Sequence, residues 1–455
     1  MPDDPEQLFL TEARCRELFG VVQQAAKSLG ISEIEAIFGA HRDALTRFAN
    51  NTIHQNVAEQ TQWLSVRPSI DHRTARASTN RLDPASIRTV VEQAVALAKS
   101  AAADPDLLPL ADPTPVPRIH RFDPSTASAS PLDRARAVAA AIGVVEKAGQ
   151  TAAGIYSTGE TVEAILNSQG VAAWHSETLA QFSITAIAKD SSGWAKASAV
   201  SCASFDASAL ARRASDKARL SEDPCEIPPG RYTVVLERAA VLDLVGQMFG
   251  DFSATALRDQ RSFLTGRLGT KLFGENIHIH DDVAHPLQAG VPFDGEGVPR
   301  KKLALVEAGV PREVAYSRSS AARAGVQPTG HGFPLPNEVG ESPLNIVIEG
   351  GSTSVDDMIA STERGVLVTR LWYIREVDPY EKIMTGMTRD GTFLIENGRL
   401  VSGLKNFRFN QGLIELLKNV EALSPAERAS GEEIFDMVVP AMKVRDFHFT
   451  EVTRF

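Results

Sequence analysis

Seven prolines fall between Pro105 and Pro131, at positions 105, 109, 113, 115, 117, 124 and 131. Each lacks a backbone N–H, fixes its own φ and pushes the preceding residue away from the α region. A spacing this tight favours an extended connector over a packed element across residues 105–131. The same order of elements stands on both sides of it. Before it, Thr11 to Leu29 carries Leu18, Phe19, Val22 and Ala25 on one helical face, with Gly30 placed as a C-terminal stop. Strand-like runs follow at Ile34 to Phe38, Ala44 to Phe48 and Thr61 to Val66, punctuated by Asn50-Asn51. A second helix opens at Asp83-Pro84, an N-cap with proline at the first helical position, and buries Ile87, Val90, Val91, Ala94 and Leu97. After the prolines come a helix at Leu132 to Ala148, runs at Thr151 to Tyr156, Thr161 to Leu166, Ala180 to Ala188 and Trp194 to Ser201, and a helix at Ala207 to Leu220. The fold class is α+β, with two helix-flanked antiparallel sheet segments over residues 1–104 and 132–227, or one larger sheet built from both.

Beyond Pro228 the character changes to short β-rich runs broken by Gly, Pro and Asn, which predicts a mainly β C-terminal domain over residues 228–455 with a few helices. Asn397-Gly398 between strand-like residues is a hairpin signal, and Leu305 to Gly309 echoes it. Ser354 to Asp357 reads as a capping box opening a short helix, and another helix is expected over Gly412 to Val420. A length of 455 residues accommodates two or three domains. Forty-seven Lys and Arg against 57 Asp and Glu leave a net charge of -10, which argues against a dedicated surface for nucleic acid or anionic membrane. Three scattered cysteines, Cys15, Cys202 and Cys225, form neither a disulfide framework nor a CxxC site and favour a reducing compartment. The acidic N-terminus is unlike a signal peptide and no apolar run spans a membrane, so a cytoplasmic location is expected.

Candidate chemistry is sparse. His278, His280, Asp282 and His285 form the densest set of ligand-type residues: on a strand the first two share a face, so both imidazoles can meet one metal ion, with Asp282 or His285 adding a ligand from the turn. The plainer alternative, and the favoured one, turns Ile277 and Ile279 to a core and leaves the histidines on a solvated face. His331 sits between two glycines in a loop that can approach a ligand, and Thr388, Arg389 and Asp390 lie between Gly386 and Gly391 where they can orient a peptide. A simple tight turn at Asp390-Gly391 is the favoured reading there. Nucleophile-elbow, Walker, dinucleotide and HExxH motifs are all missing.

Several runs resemble the TldD/PmbA family, once described as modulators of DNA gyrase. They are Phe293-Asp294-Gly295-Glu296-Gly297-Val298-Pro299, Gly350 to Ile359, Thr362-Glu363-Arg364-Gly365 and Leu394 to Gly398, in that order, with a weaker match from Arg47 to Gln55. The resemblance implies a cytosolic metallopeptidase family in which a TldD-type subunit with a zinc-binding HExxxH helix and a later Cys ligand pairs with a TldE/PmbA-type subunit lacking the site. It implies substrates that are unfolded or small peptides. The corresponding helix here has Leu242 and Gln247 where the two histidines would stand and Asp243 where the glutamate would stand, and no cysteine follows Cys225. Leucine has no donor atom and a glutamine amide is a poor zinc ligand. The resemblance therefore implies no cofactor and no catalytic residue in this chain, with zinc expected in an HExxxH-bearing partner and peptide held between the two. Self-association, a stand-alone hydrolase built on the displaced histidines, and a non-catalytic peptide-binding scaffold are the alternatives.

Overall fold

Runs separated in the sequence by polar residues fold as single long strands, because a strand exposed on one face tolerates polar residues at every second position. A computed structural model describes residues 10–453. Helix α1 (Glu12–Ser28) is capped by the Thr11 hydroxyl, which accepts from the Arg14 N–H. Strands β1 (Ile34–Ala49) and β2 (Thr52–Ile70) meet at Asn50 and Asn51, whose φ values of 49° and 58° build the hairpin turn that asparagine tolerates. Helix α2 (Pro84–Ser100) starts where Asp83 accepts from two backbone N–H groups. Helix α3 (Pro131–Lys147), with a complete Ser130–Asp133 capping box, precedes strands β3 (Thr151–Asn167), β4 (Ala172–Ile187) and β5 (Ser192–Ala199) and helix α4 (Ala207–Leu220).

β1 pairs antiparallel with β3 from Glu35↔Asn167 to Phe48↔Gly154, so the strands on the two sides of the prolines join one seven-stranded sheet. Its faces differ. Ala36, Phe38 and Ala40 pack with the buried sides of α1 and α2, while Phe48, Tyr156 and Phe182 pack with α3 and α4. The opposite face carries Ile37, Ile165 and Ala173, which cluster with Phe293 of the C-terminal domain. The proline-rich segment is strapped down: the Ala111 carbonyl accepts from Asn167 Nδ2 at 2.8 Å, and the buried Arg121 guanidinium donates to the carbonyls of Val283 and Gly290.

In the C-terminal part, strand β6 (Gly230–Leu236) leads into helix α5 (Arg238–Val245) and lies parallel to β7 (Arg364–Asp378). β7 pairs with β8 (Ile383–Glu396), β8 with β9 (Phe407–Gly412), β9 with β10 (Met442–Val452), and β10 returns to β6. The five strands thus close on themselves, and Phe407, Phe409, Phe447 and Phe449 pack with tilted rings in the large apolar core. A second, six-stranded sheet contains Ile279–Asp281 and Leu303–Glu307. The Asn397-Gly398 turn and its echo at Ala308-Gly309 both have two consecutive positive φ angles, as the hairpin signal requires. No helix among the described residues is long and apolar enough to cross a membrane.

Candidate functional site

Helix α5 is apolar nearly all round, and every residue from Ala240 to Val245 is buried, as such a pattern demands. It continues into a tight turn of helix, Gly246–Asp251. A segment from the far end of the chain lies directly on it. A Cβ at Gly431 would stand 2.1 Å from Asp243 Oδ1 and 2.5 Å from Leu242 Cδ2, and one at Gly246 would stand 2.8 Å from Ile434 Cγ2. Only glycine permits approaches this close.

Beneath that cover, Asp243 Oδ1 accepts the N–H groups of Glu432 and Glu433, each at 3.1 Å, while Oδ2 has no partner. Burial raises the Asp243 carboxyl to about 7, and the two N–H donors oppose the shift without cancelling it. Gln247 turns its amide back along the helix, donating to the Asp243 carbonyl at 3.1 Å. Leu242 is fully buried and offers no donor atom. This set does not fit a zinc ion, which needs several converging N, O or S donors.

The raised carboxyl gives a stability prediction. Asp243 binds its proton more tightly folded than unfolded, so stability falls as pH rises from about 4 towards 7. Asp243→Asn keeps an acceptor for the two N–H groups and removes the titration. The variant is expected to be more stable than the parent by roughly 2 kcal/mol at pH 8, with the gap closing towards pH 4, in urea unfolding at the two pH values. A destabilised variant at pH 8 would contradict the assignment.

The four residues of the histidine-rich segment do not share one centre. Ile277 and Ile279 are buried, and His278 Nδ1 faces the Ala308 N–H at 3.4 Å. His280 lies 3.7 Å from Glu349, Asp282 pairs with Lys302 at 3.2 Å, and His285 Nδ1 accepts from the Leu287 N–H. Among the described residues no three or more His, Cys, Asp or Glu side chains converge as for a metal ion. His331 is buried, with Nδ1 2.9 Å from Thr329 Oγ1 and Nε2 3.2 Å from Asp281 Oδ1. Neither atom of the second contact has hydrogen-bond geometry. Asp281 Oδ2 accepts from the N–H groups of Leu344 and Asn345. Burial works to raise the Asp281 carboxyl, but His331, Arg300 and the N–H donors hold it below its ordinary range.

Thr388, Arg389 and Asp390 are not in a loop. They lie inside β8, and the expected tight turn at Asp390-Gly391 is instead a kink within the strand, with φ of 51° and 129°. Thr388 is buried and accepts from the Phe407 N–H at 3.0 Å. Arg389 lies over the Trp372 ring at 4.9 Å, and Asp390 accepts from Arg370 Nε at 2.9 Å and from the Ser192 hydroxyl at 2.6 Å. Arg389 and Asp390 border a polar hollow of about 1280 Å³ between the two halves of the chain.

A second cleft, of about 860 Å³, separates the open face of the N-terminal sheet from the C-terminal loops. Ile37, Trp63 and Ile165 lie on its sheet side, and Gly431, Ile434 and Asp436 form the wall behind which α5 lies. Sequence reasoning missed Trp63, Glu163 and Arg300, because this cleft gathers them from segments distant in the chain. Trp63 and Glu163 become neighbours only through the pairing of each with Gly39, which no local signal specifies.

Three family models match in order: PmbA/TldA metallopeptidase domain 1 over residues 34–98, the central domain over 121–222 and the C-terminal domain over 229–451. A metalloprotease of Methanothermobacter thermautotrophicus is 27% identical over 282 residues, covering 58% of this chain and 60% of its own. The chain therefore spans about three fifths of the length of that relative. A metalloprotease TldD homolog of Buchnera aphidicola is 27% identical over 38% of this chain and 35% of its own. The crystal structure of TldE from Thermococcus kodakarensis superposes with a TM-score of 0.85 at 21% identity, over 95% of this chain and all of that one, which is a likeness of fold. Three domain models in sequence order, covering most of its length, place the chain in the TldD/PmbA metallopeptidase family.

Proposed function

We propose that this chain is a TldE/PmbA-type subunit of a metalloprotease assembly, catalytically silent by itself, that works in the cytoplasm with an HExxxH-bearing TldD-type partner as a heterodimer. The assembly would degrade unfolded or small peptides, or process peptide precursors. The observation that carries this reading is the condition of α5: Leu242 without a donor, Gln247 turned back on its own helix, and Asp243 bound to the backbone of Glu432 and Glu433 under a glycine cover. The missing His-Glu pair and the lack of any cysteine after Cys225 support it.

In this reading the chain contributes position and selection. The cleft is bounded on one side by a sheet and on the other by loops held through Lys196, whose ammonium donates to the Gly431 carbonyl at 2.6 Å, and through Asp436, which takes Arg428 at 3.0 Å. In this reading the cleft takes an extended chain and excludes a folded one. Zinc in the partner, when bound, supplies a polarised water for attack on the peptide carbonyl.

Zinc analysis and a peptidase assay on the purified chain alone test the reading. Metal well below one equivalent and no peptide cleavage are the expected results; one zinc per chain would overturn it.

A further inference from the structure

We infer that the 860 Å³ cleft recognises a cationic group of an extended peptide, an ammonium or guanidinium, seated between the Trp63 indole and the Glu163 carboxylate. This deepens, and rests on, the peptide-holding role proposed above.

Trp63 pairs with Gly39, Gly39 with Glu163, and Glu163 with His175. Directly paired residues share a face, and neighbouring strands are about 4.8 Å apart, so Trp63 and Glu163 flank a position without a side chain. The indole fills that gap. A Cβ at residue 39 would lie 2.2 Å from Trp63 Cε2 and 2.4 Å from its Nε1, so the ring crosses β1 towards Glu163. An aromatic ring beside a carboxylate in a partly desolvated cleft is a receptor for a cation.

The other charged groups lining the cleft are engaged. Asp294 accepts three backbone N–H groups, from Glu296, Val298 and Gly332. Glu177 accepts the Gly290 N–H at 2.7 Å and lies 3.7 Å from His175. Asp436 takes Arg428 and the Ser198 hydroxyl. Lys196 is bound to the Gly431 carbonyl and Glu432. Glu163 alone among these carboxylates makes no hydrogen bond or ion pair among the described residues, and it is open to the cleft. Desolvation by the surrounding cleft and the neighbouring Glu177 push its carboxyl above the ordinary range, with Arg300, His175 and His41 opposing. Arg300 also faces Asp281 and Asp294, so its charge is shared among three carboxylates. Its Nε donates to the Val291 carbonyl, while its buried Nη1 has no partner. The cleft thus offers one free acceptor for a cation. Ile37, Ile165 and Phe293 add an apolar floor beside it for a neighbouring side chain.

Calorimetry on the full chain alone, with three peptides of one sequence, tests the inference and separates its two sources of charge. One peptide is acetylated with a central lysine, the second is acetylated with norleucine in its place, and the third has norleucine and a free N-terminus. A lysine peptide binding about tenfold tighter than the acetylated norleucine peptide is expected for a side-chain cation. The same advantage in the third peptide alone assigns the site to a terminal ammonium. Glu163→Gln should erase either advantage and leave the affinity for the acetylated norleucine peptide unchanged. Equal affinities for all three peptides, or an advantage that survives Glu163→Gln, would overturn the inference while leaving peptide holding intact. Binding of none of them would overturn both.

Discussion

Glu35→Ala is expected to destabilise the chain by about 3–5 kcal/mol, because it strands two arginines at the junction of sheet and C-terminal domain. Glu35 on β1 stands opposite Arg67 on β2, and both are 1% exposed. Arg67 donates to both carboxylate oxygens, at 3.1 and 2.8 Å, and Arg76 adds a third bond at 2.6 Å. Arg76 also donates to the Leu335 carbonyl at 2.7 Å, so the same carboxylate steadies a contact between the two parts of the molecule. Burial alone would raise the Glu35 carboxyl, but Arg67 and Arg76 outweigh it and hold the group below its ordinary range. The stabilisation is therefore fully present above the unfolded carboxyl pKa of about 4.3 and is lost as pH falls through the lower folded value. Urea midpoints at pH 7 and pH 3 should show the variant far below the parent at pH 7 and closer to it at pH 3. A loss under about 1 kcal/mol at pH 7 would mean that the arginines find other acceptors.

Asp390→Ala is expected to cost about 3 kcal/mol of stability, for a related reason in a different place. Arg370, 6% exposed, donates to Asp390 and lies 4.9 Å from the Trp194 ring of β5 and 5.4 Å from the Trp372 ring. Asp390 also accepts from Ser192 on β5, so the cluster ties the edge of the N-terminal sheet to β8. Without Asp390 a nearly buried guanidinium loses its counter-charge. Removing Arg370 as well should recover part of the loss, the non-additivity expected of a contacting pair. A peptide-contact role for Asp390 predicts the opposite pattern: normal unfolding with weakened peptide binding.

Local rules were enough for the elements they govern. Asp83-Pro84 marked the start of α2, and Asn397-Gly398 marked its hairpin, because capping and turn geometry depend on a few adjacent residues. Asp390-Gly391 misled for the same reason: the pair favours a turn in isolation, but pairing of β8 with β7 and β9 carries the strand through it as a kink. Polar residues at alternate positions disguised β1 as two short runs, and nothing local showed that β1 would pair with β3 across the prolines. Closure of the five-strand ring joins Thr233 to Gly365, a parallel pairing that only the tertiary fold specifies. At the candidate site the donor-poor identities of Leu242 and Gln247 were legible, since residue type alone decides whether a donor exists. The burial of Asp243 was not, because its cover comes from Gly431 to Glu433, nearly two hundred residues later. The Trp63, Gly39 and Glu163 row was hidden for the same reason, since it needs the register of three strands.

The proposed function places the metal chemistry in a second subunit. It is tested most directly by affinity purification of the tagged full-length chain from its native host, followed by mass spectrometry and a peptidase assay of the isolated complex. A second chain of similar size, present in equal amount and containing HExxxH, is expected, with zinc and peptidase activity lost when that chain is removed. Recovery of this chain alone or only with copies of itself, with stoichiometric zinc and full peptidase activity, would contradict it.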